Sequence, residues 1–268
     1  MNSLLSSTYF GPVQWYQKLA HGGACIIERH DHFVKQTFRN RCVIATTQGQ
    51  QALTVPVESP QGVRIDKTEM KDVRISDHGA WRHLHWQALQ SAYGESPFFE
   101  YYVDDILPFF EKKWEFLFDF NLAITHKMCE LLDIEPHIEL TEEYLLVSDG
   151  CACGTNASDA IGRGGSCARP QSNGDAVVCG CGHNGCGRAQ GPPLHDDTVA
   201  CGCDTHACGC GNMIVDYRDA IRPKHPLPDP SFVPRPYYQV YGQKFGFQPN
   251  LSILDLLFNE GNEAVLYL

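Results

Sequence analysis

Lys35, Arg39 and Arg41 share the odd-numbered face of a stretch in which apolar and polar residues alternate, with Gln36 and Asn40 opposite or at its edge. Arginine presents a planar fork that grips phosphate or carboxylate bidentately, and lysine adds a point charge. Three cations on one ribbon face of an acidic chain point to an anion site made of Lys35, Arg39, Asn40 and Arg41. A solvated polar face, neutralised by acids on a neighbouring strand, has the same pattern. His85 falls four residues after Trp81 on the apolar stripe of a predicted helix, so it faces inward. Beside a cleft such a histidine takes or gives a proton near neutral pH; in a core it is simply hydrogen-bonded at both ring nitrogens. Asp104 and Asp105 follow an aromatic run, and they either orient a histidine or a substrate amine, or cap the next helix. The catalytic candidates are His85 and Asp104. Cys42 lies on the apolar face with Phe38 and Ile44, where a free cysteine behaves as a small hydrophobe more readily than as a nucleophile.

A second set of reactive residues is concentrated in one segment. Residues 148–212 hold 10 of the 13 cysteines and 14 of the 24 glycines, and contain no Phe, Trp, Tyr, Lys or Glu. Within it, Cys179-Gly-Cys181-x4-Cys186 recurs as Cys201-Gly-Cys203-x4-Cys208, and each copy encloses a histidine, His183 or His206. Three thiolates and one imidazole match the ligand count of a closed tetrahedral zinc site. The Cys-x-Cys spacing is tighter than the usual zinc pattern, so a reduced low-complexity loop is the competing reading, with disulfides third. A glycine-rich segment without aromatics buries too little apolar surface to offset its ordering entropy. It is expected to be an insertion, leaving residues 1–147 and 213–268 as one discontinuous domain.

These candidates need elements to hold them. A strand is expected over residues 3–10, then a Gly11–Pro12 turn and a helix near 13–20. The alternation over 33–46 predicts a strand with one buried face, paired in a hairpin with a second strand at 53–57, where Pro56 implies an edge or bulge. Helical spacing over 80–93 predicts a helix, Ser96–Pro97 opens another through residue 103, and a long helix is expected over about 111–132. An aromatic strand at 237–241 and a closing helix at 252–259 complete the chain. The expected class is α+β, a mixed sheet with a β-hairpin and clustered helices, interrupted by the Cys/Gly-rich loop.

Composition narrows the function. The 268 residues carry a formal charge of −11, so a basic nucleic-acid-binding domain is not expected. No run is apolar for long enough to span a membrane, and the first ten residues lack the pattern of an export signal, so a cytoplasmic location is expected. There is no Walker phosphate loop, no G-x-S-x-G, no H-E-x-x-H and no dinucleotide fingerprint.

Several short motifs carry a family resemblance. They include Tyr9-Phe-Gly-Pro-Val-Gln-Trp15, Lys35-Gln-Thr-Phe-Arg-Asn-Arg-Cys42, Leu53-Thr-Val-Pro-Val57, His85-Trp86 and Ser96-Pro-Phe-Phe-Glu-Tyr-Tyr102. Asp216-Tyr-Arg218, Ile221-Arg-Pro-Lys224, Tyr237-Tyr-Gln-Val240 and the run from Gly246 to Asn259 extend them. Together these motifs resemble the WbqC-like family of bacteria, over nearly all of the body outside the insertion. The resemblance implies a setting in surface-polysaccharide biosynthesis and brings no reaction with it. The expectation is a transferase that attaches an acyl or aminoacyl group to an anionic sugar intermediate, such as a nucleotide sugar. The basic strand would hold the anion and His85 would accept the proton. The rivals are a non-catalytic binding or metal-handling protein that uses the Cys-x-Cys copies and zinc, and an assembly factor without chemistry.

Overall fold

The computed structural model describes residues 1–147 and 214–268. In chain order the elements are β1 (Asn2–Ser6), α1 (Val13–His21), β2 (Cys25–Glu28), β3 (Arg41–Thr46), β4 (Gly49–Thr54), β5 (Val57–Glu58), β6 (Arg74–Ile75), α2 (Trp81–Tyr93), α3 (Phe99–Ile106), α4 (Pro108–Glu111), α5 (Leu117–Leu131), β7 (Ile138–Leu140), β8 (Ile214–Asp216), α6 (Gly242–Phe245) and α7 (Ile253–Glu260). The class is α+β. The cysteine and histidine copies of residues 179–208 lie outside the described residues, as does the Cys/Gly-rich segment 148–212 that contains them.

One sheet is wholly parallel, in the order β7-β2-β1-β8. A parallel pair needs a crossover, and α1 supplies it between β1 and β2. Leu4 and Leu5 at the sheet centre are both fully buried, so consecutive side chains on opposite faces are covered. On α1, Trp15, Tyr16 and Leu19 turn inward at helical spacing, and the Trp15 indole N–H donates to the Ser6 carbonyl at 2.9 Å. Helices α2, α5 and α7 bury a continuous aromatic core that includes Trp81, Phe120 and Phe258.

The hairpin is shorter than the alternation predicts. β3 pairs with β4 from Arg41↔Thr54 to Thr46↔Gly49, and Cys42, Ile44 and Leu53 form its buried face. Residues 33–40 are irregular instead of extended. Phe33 and Phe38 are both buried, and their odd spacing would put them on opposite faces of a strand. Turns resolve the conflict: the Thr37 hydroxyl donates to the Val34 carbonyl at 2.7 Å and Gln36 takes φ 59°.

Three other expectations change. The long helix over 111–132 is interrupted between α4 and α5, because residues 115–116 lie alongside β6 and α5 opens only at Leu117. Ile75 N–H donates to the Glu115 carbonyl and Leu117 N–H to the Val73 carbonyl, both at 2.9 Å. Residues 237–241 form no strand; side chains anchor them. Tyr237 Oη and Gln239 Nε2 donate to Asp255 Oδ2 at 2.6 and 3.0 Å, while Tyr93 Oη reaches Asp255 Oδ1 at 2.9 Å. That buried carboxylate ties α2, the aromatic segment and α7 together. Asp104 and Asp105 cap nothing, since both lie inside α3, with Asp104 exposed.

Candidate functional site

The parallel sheet decides where a ligand can approach. The chain builds outward from β1 to β2 to β7, then returns to the other side of β1 as β8. β1 thus lies between β2 and the late strand β8, and open parallel sheets bind ligands outside the carboxyl ends of their strands. Those ends are Ser6, Glu28, Leu140 and Asp216. Beyond them lies a cavity of about 600 Å³ lined by His30, Asp31, Arg39, Glu69, Asp216 and Arg218, among others. Deeper in, Arg39 and Arg218 also border a void of about 10 Å³ beside Ser6 and Thr8. That inner space is about the size of one water.

Glu28 organises the rim. It is fully buried and accepts from the His30 N–H at 2.8 Å, the Thr141 hydroxyl at 2.7 Å and the Leu145 N–H at 2.9 Å. These bonds lock the turn after β2 against the segment after β7. Arg218 comes from the end of β8. Its Nε and Nη2 donate to Asp216 at 3.0 and 2.6 Å, and Nη2 also reaches the Leu145 carbonyl at 3.1 Å. Its Nη1 lies 3.5 Å from Glu28 Oε2 but has no hydrogen-bond partner among the described residues.

Arg39 enters from the irregular segment before β3. One nitrogen, Nη2, pairs with Asp31 Oδ2, and the side chains on both sides are over nine-tenths buried. Burial pushes the Asp31 carboxyl above its usual range, and the Arg39 charge opposes that rise without cancelling it. Arg39 Nε, Asp31 Oδ1, Ser6 Oγ and Thr8 Oγ1 are buried without partners among the described residues. An orphaned buried polar atom costs about 1–3 kcal/mol, so these atoms, on residues that line either the crevice or the small void, mark places where a ligand or ordered water completes the bonding.

His30 stands at the opposite rim. Its Nδ1 lies 3.1 Å from Glu69 Oε2 and 3.2 Å from Lys71 Nζ, and its Nε2 accepts from Arg29 Nε at 3.3 Å. Nδ1 donates to Glu69 or accepts from Lys71, but not both at once. The Lys71 and His30 bonds hold the Glu69 carboxyl below its usual value.

Of the anion-binding candidates, only Arg39 lines this crevice. Lys35 is exposed on a turn. Arg41 donates from Nε to Thr54 Oγ1 at 3.1 Å across the hairpin, and the Asn40 side chain donates to the Val55 carbonyl at 2.8 Å. No shared strand face unites the three cations. His85 is a core residue, with Nδ1 2.9 Å from Tyr9 Oη and its ring 5.2 Å from that of Trp81. Burial holds it down to about 4. Neither His85 nor Asp104 lines the crevice. Cys42 is buried with its thiol pushed up by burial, so the hydrophobic reading holds. Sequence reasoning missed Glu28, His30, Asp31 and Arg218 as site residues. The available signal was the apolar Cys25-Ile-Ile run that breaks at once into Glu28-Arg-His-Asp-His32.

No helix among the described residues is long and apolar enough to cross a membrane. No group of three or more His, Cys, Asp or Glu among the described residues is placed to hold a metal ion. The sequence pattern of the WbqC-like protein family matches residues 7–153. Among curated proteins, the uncharacterized protein Rv1507c of Mycobacterium tuberculosis (strain ATCC 25618 / H37Rv) is 24% identical over 268 residues, covering 99% of this chain and 96% of that protein. No solved structure matches.

Proposed function

The chain belongs to the WbqC-like protein family, and from that premise we propose that it is a cytoplasmic transferase acting on an anionic sugar intermediate of surface-polysaccharide biosynthesis. The observation that carries this reading is the pair of buried, unpartnered donors, Arg39 Nε and Arg218 Nη1, at the carboxyl end of the parallel sheet. Both belong to guanidinium groups already held rigid by carboxylates. Preorganised donors of that kind suit a phosphate or carboxylate oxygen. A nucleotide sugar supplies such oxygens and fits the volume of the crevice.

The proposed reaction moves an acyl or aminoacyl group from an activated donor to the sugar. The accepting oxygen or nitrogen forms the new bond to the acyl carbon, loses its proton, and the donor's leaving group departs. His30, oriented by Glu69 through Nδ1, takes that proton at Nε2 once the Arg29 Nε–H that donates there is displaced, in place of His85.

Calorimetric titration with a nucleotide sugar and with a simple sugar phosphate tests the reading. Replacing Arg39 or Arg218 by Lys keeps the charge and removes the fork. Loss of one charge-assisted bond of about 1.5–3 kcal/mol should weaken binding about tenfold or more. Equal affinity in wild type and both variants, with lowered thermal melts, would make these arginines purely structural.

A further inference from the structure

The crevice offers more than donors. Its lining carries two arginines, Arg39 and Arg218, against four carboxylates, Asp31, Glu69, Asp216 and Asp219. All four carboxylates have a cation close by. Asp216 is gripped by Arg218 at 2.6 Å, Asp219 by Arg222 at 2.9 Å, and Glu69 by Lys71 at 2.8 Å. Asp31 is different. Its Oδ2 is taken by Arg39, while its Oδ1 is buried and accepts nothing among the described residues. The residue is fixed in place by its backbone, since the Met70 N–H donates to the Asp31 carbonyl at 2.9 Å and the Phe33 N–H to the Thr68 carbonyl at 2.9 Å. A rigid, empty acceptor therefore stands beside two empty donors.

A purely anionic ligand would satisfy Arg39 Nε and Arg218 Nη1 and leave Asp31 Oδ1 orphaned next to its own negative charge. A ligand with an anionic group and a cationic amine a few bonds apart would satisfy all three. We propose that the ligand of this crevice is an amino sugar carrying a phosphate or carboxylate, with its ammonium held by Asp31 Oδ1. This rests on the reading of the crevice as an anionic-sugar site and adds the substituent that distinguishes one such sugar from another. The free oxygen of Asp31 favours an ammonium over a hydroxyl, because the ammonium adds the attraction of opposite charges to the hydrogen bond in a buried setting. Burial already pushes the Asp31 carboxyl up, and a second cation beside it would relieve the cost of its charge.

Three probes separate the parts of the claim: glucosamine 6-phosphate, glucose 6-phosphate and glucosamine, titrated into the full chain by calorimetry. Glucosamine 6-phosphate should bind about tenfold more tightly than glucose 6-phosphate, the equivalent of about 1.4 kcal/mol. In Asp31→Asn that ratio should collapse toward one. Equal affinity of the two phosphates for wild type would overturn the amine assignment and leave the anion reading standing. Binding of glucosamine alone that is lost in Asp31→Asn, with no gain from the phosphate, would do the reverse. If Asp31→Asn does not fold, the wild-type ratio still decides.

Discussion

His85 shows how a residue suited to catalysis becomes structural. Its ring sits between Trp81 and Tyr9, and burial holds it near 4, so the imidazole stays uncharged at neutral pH. Unfolded, the same group takes a proton near 6.5. Below that value the unfolded chain gains a proton that the folded chain refuses, so this contribution to stability is complete above about 6.5 and is lost as the pH falls toward 4. The full loss is on the order of 3 kcal/mol. In His85→Gln the fall in stability between about pH 7 and 4.5 should be shallower than in wild type, as read from denaturant melts across that range. Identical slopes would show that the folded imidazole is protonated as readily as the free one. Asp31 titrates in the opposite sense, since its raised carboxyl binds protons more readily when folded. The comparison with the variant removes that background.

At the level of elements, the closing helix and the segment before α3 depend on a glycine. Gly261 ends α7 at φ +59°, and a Cβ there would lie 2.7 Å from the Phe98 ring. Phe98 is itself held to α7, its N–H donating to the Phe258 carbonyl at 3.0 Å. Neither the ring nor the backbone can move cheaply. Gly246 offers a control, with φ +71° and open space around its absent Cβ. Gly246→Ala should cost about 1–3 kcal/mol from a positive-φ backbone that essentially only glycine adopts. Gly261→Ala should add an overpacking cost of about 1–3 kcal/mol to that. Thermal or denaturant melts of the two variants side by side measure the difference, and equal losses would mean that Phe98 yields. The interrupted α4–α5 region follows the same logic of neighbours, since an extended partner at β6 outcompetes local helical preference.

At the scale of the whole molecule, the described residues bring together ends of the chain that are far apart in sequence. Asp255 bonds Tyr93, and Asn250 exchanges bonds with Gln14. β8, which follows the Cys/Gly-rich stretch, pairs with β1. We propose that residues 148–212 are an insertion into this body. Replacing them with a short Gly/Ser linker should leave a cooperative melt, because each doubling of loop length costs only about 0.6 kcal/mol. An insoluble product, or one without a cooperative transition, would show that the segment belongs to the fold. The same deletion tests the crevice, since β8 supplies Arg218. Sugar-phosphate binding should persist if the strand still pairs.

The sequence by itself determined the α+β class, the family and the amphipathic elements α1, α2 and α7, because those follow from local periodicity and contiguous motifs. It also singled out Arg39, which lines the crevice, although no strand face links it to Lys35 and Arg41. The tertiary structure alone decided that His85 is buried in the core and that Asp31, Arg39 and Arg218 line one crevice. Asp31 follows β2 and Arg218 follows β8, so the order of four parallel strands brings those two to one end of the sheet, and Arg39 joins them from the segment before β3. Pairing order is a long-range property. No periodicity within β1, β2 or β8 encodes which neighbour each will choose, and the crevice exists only once that choice is made.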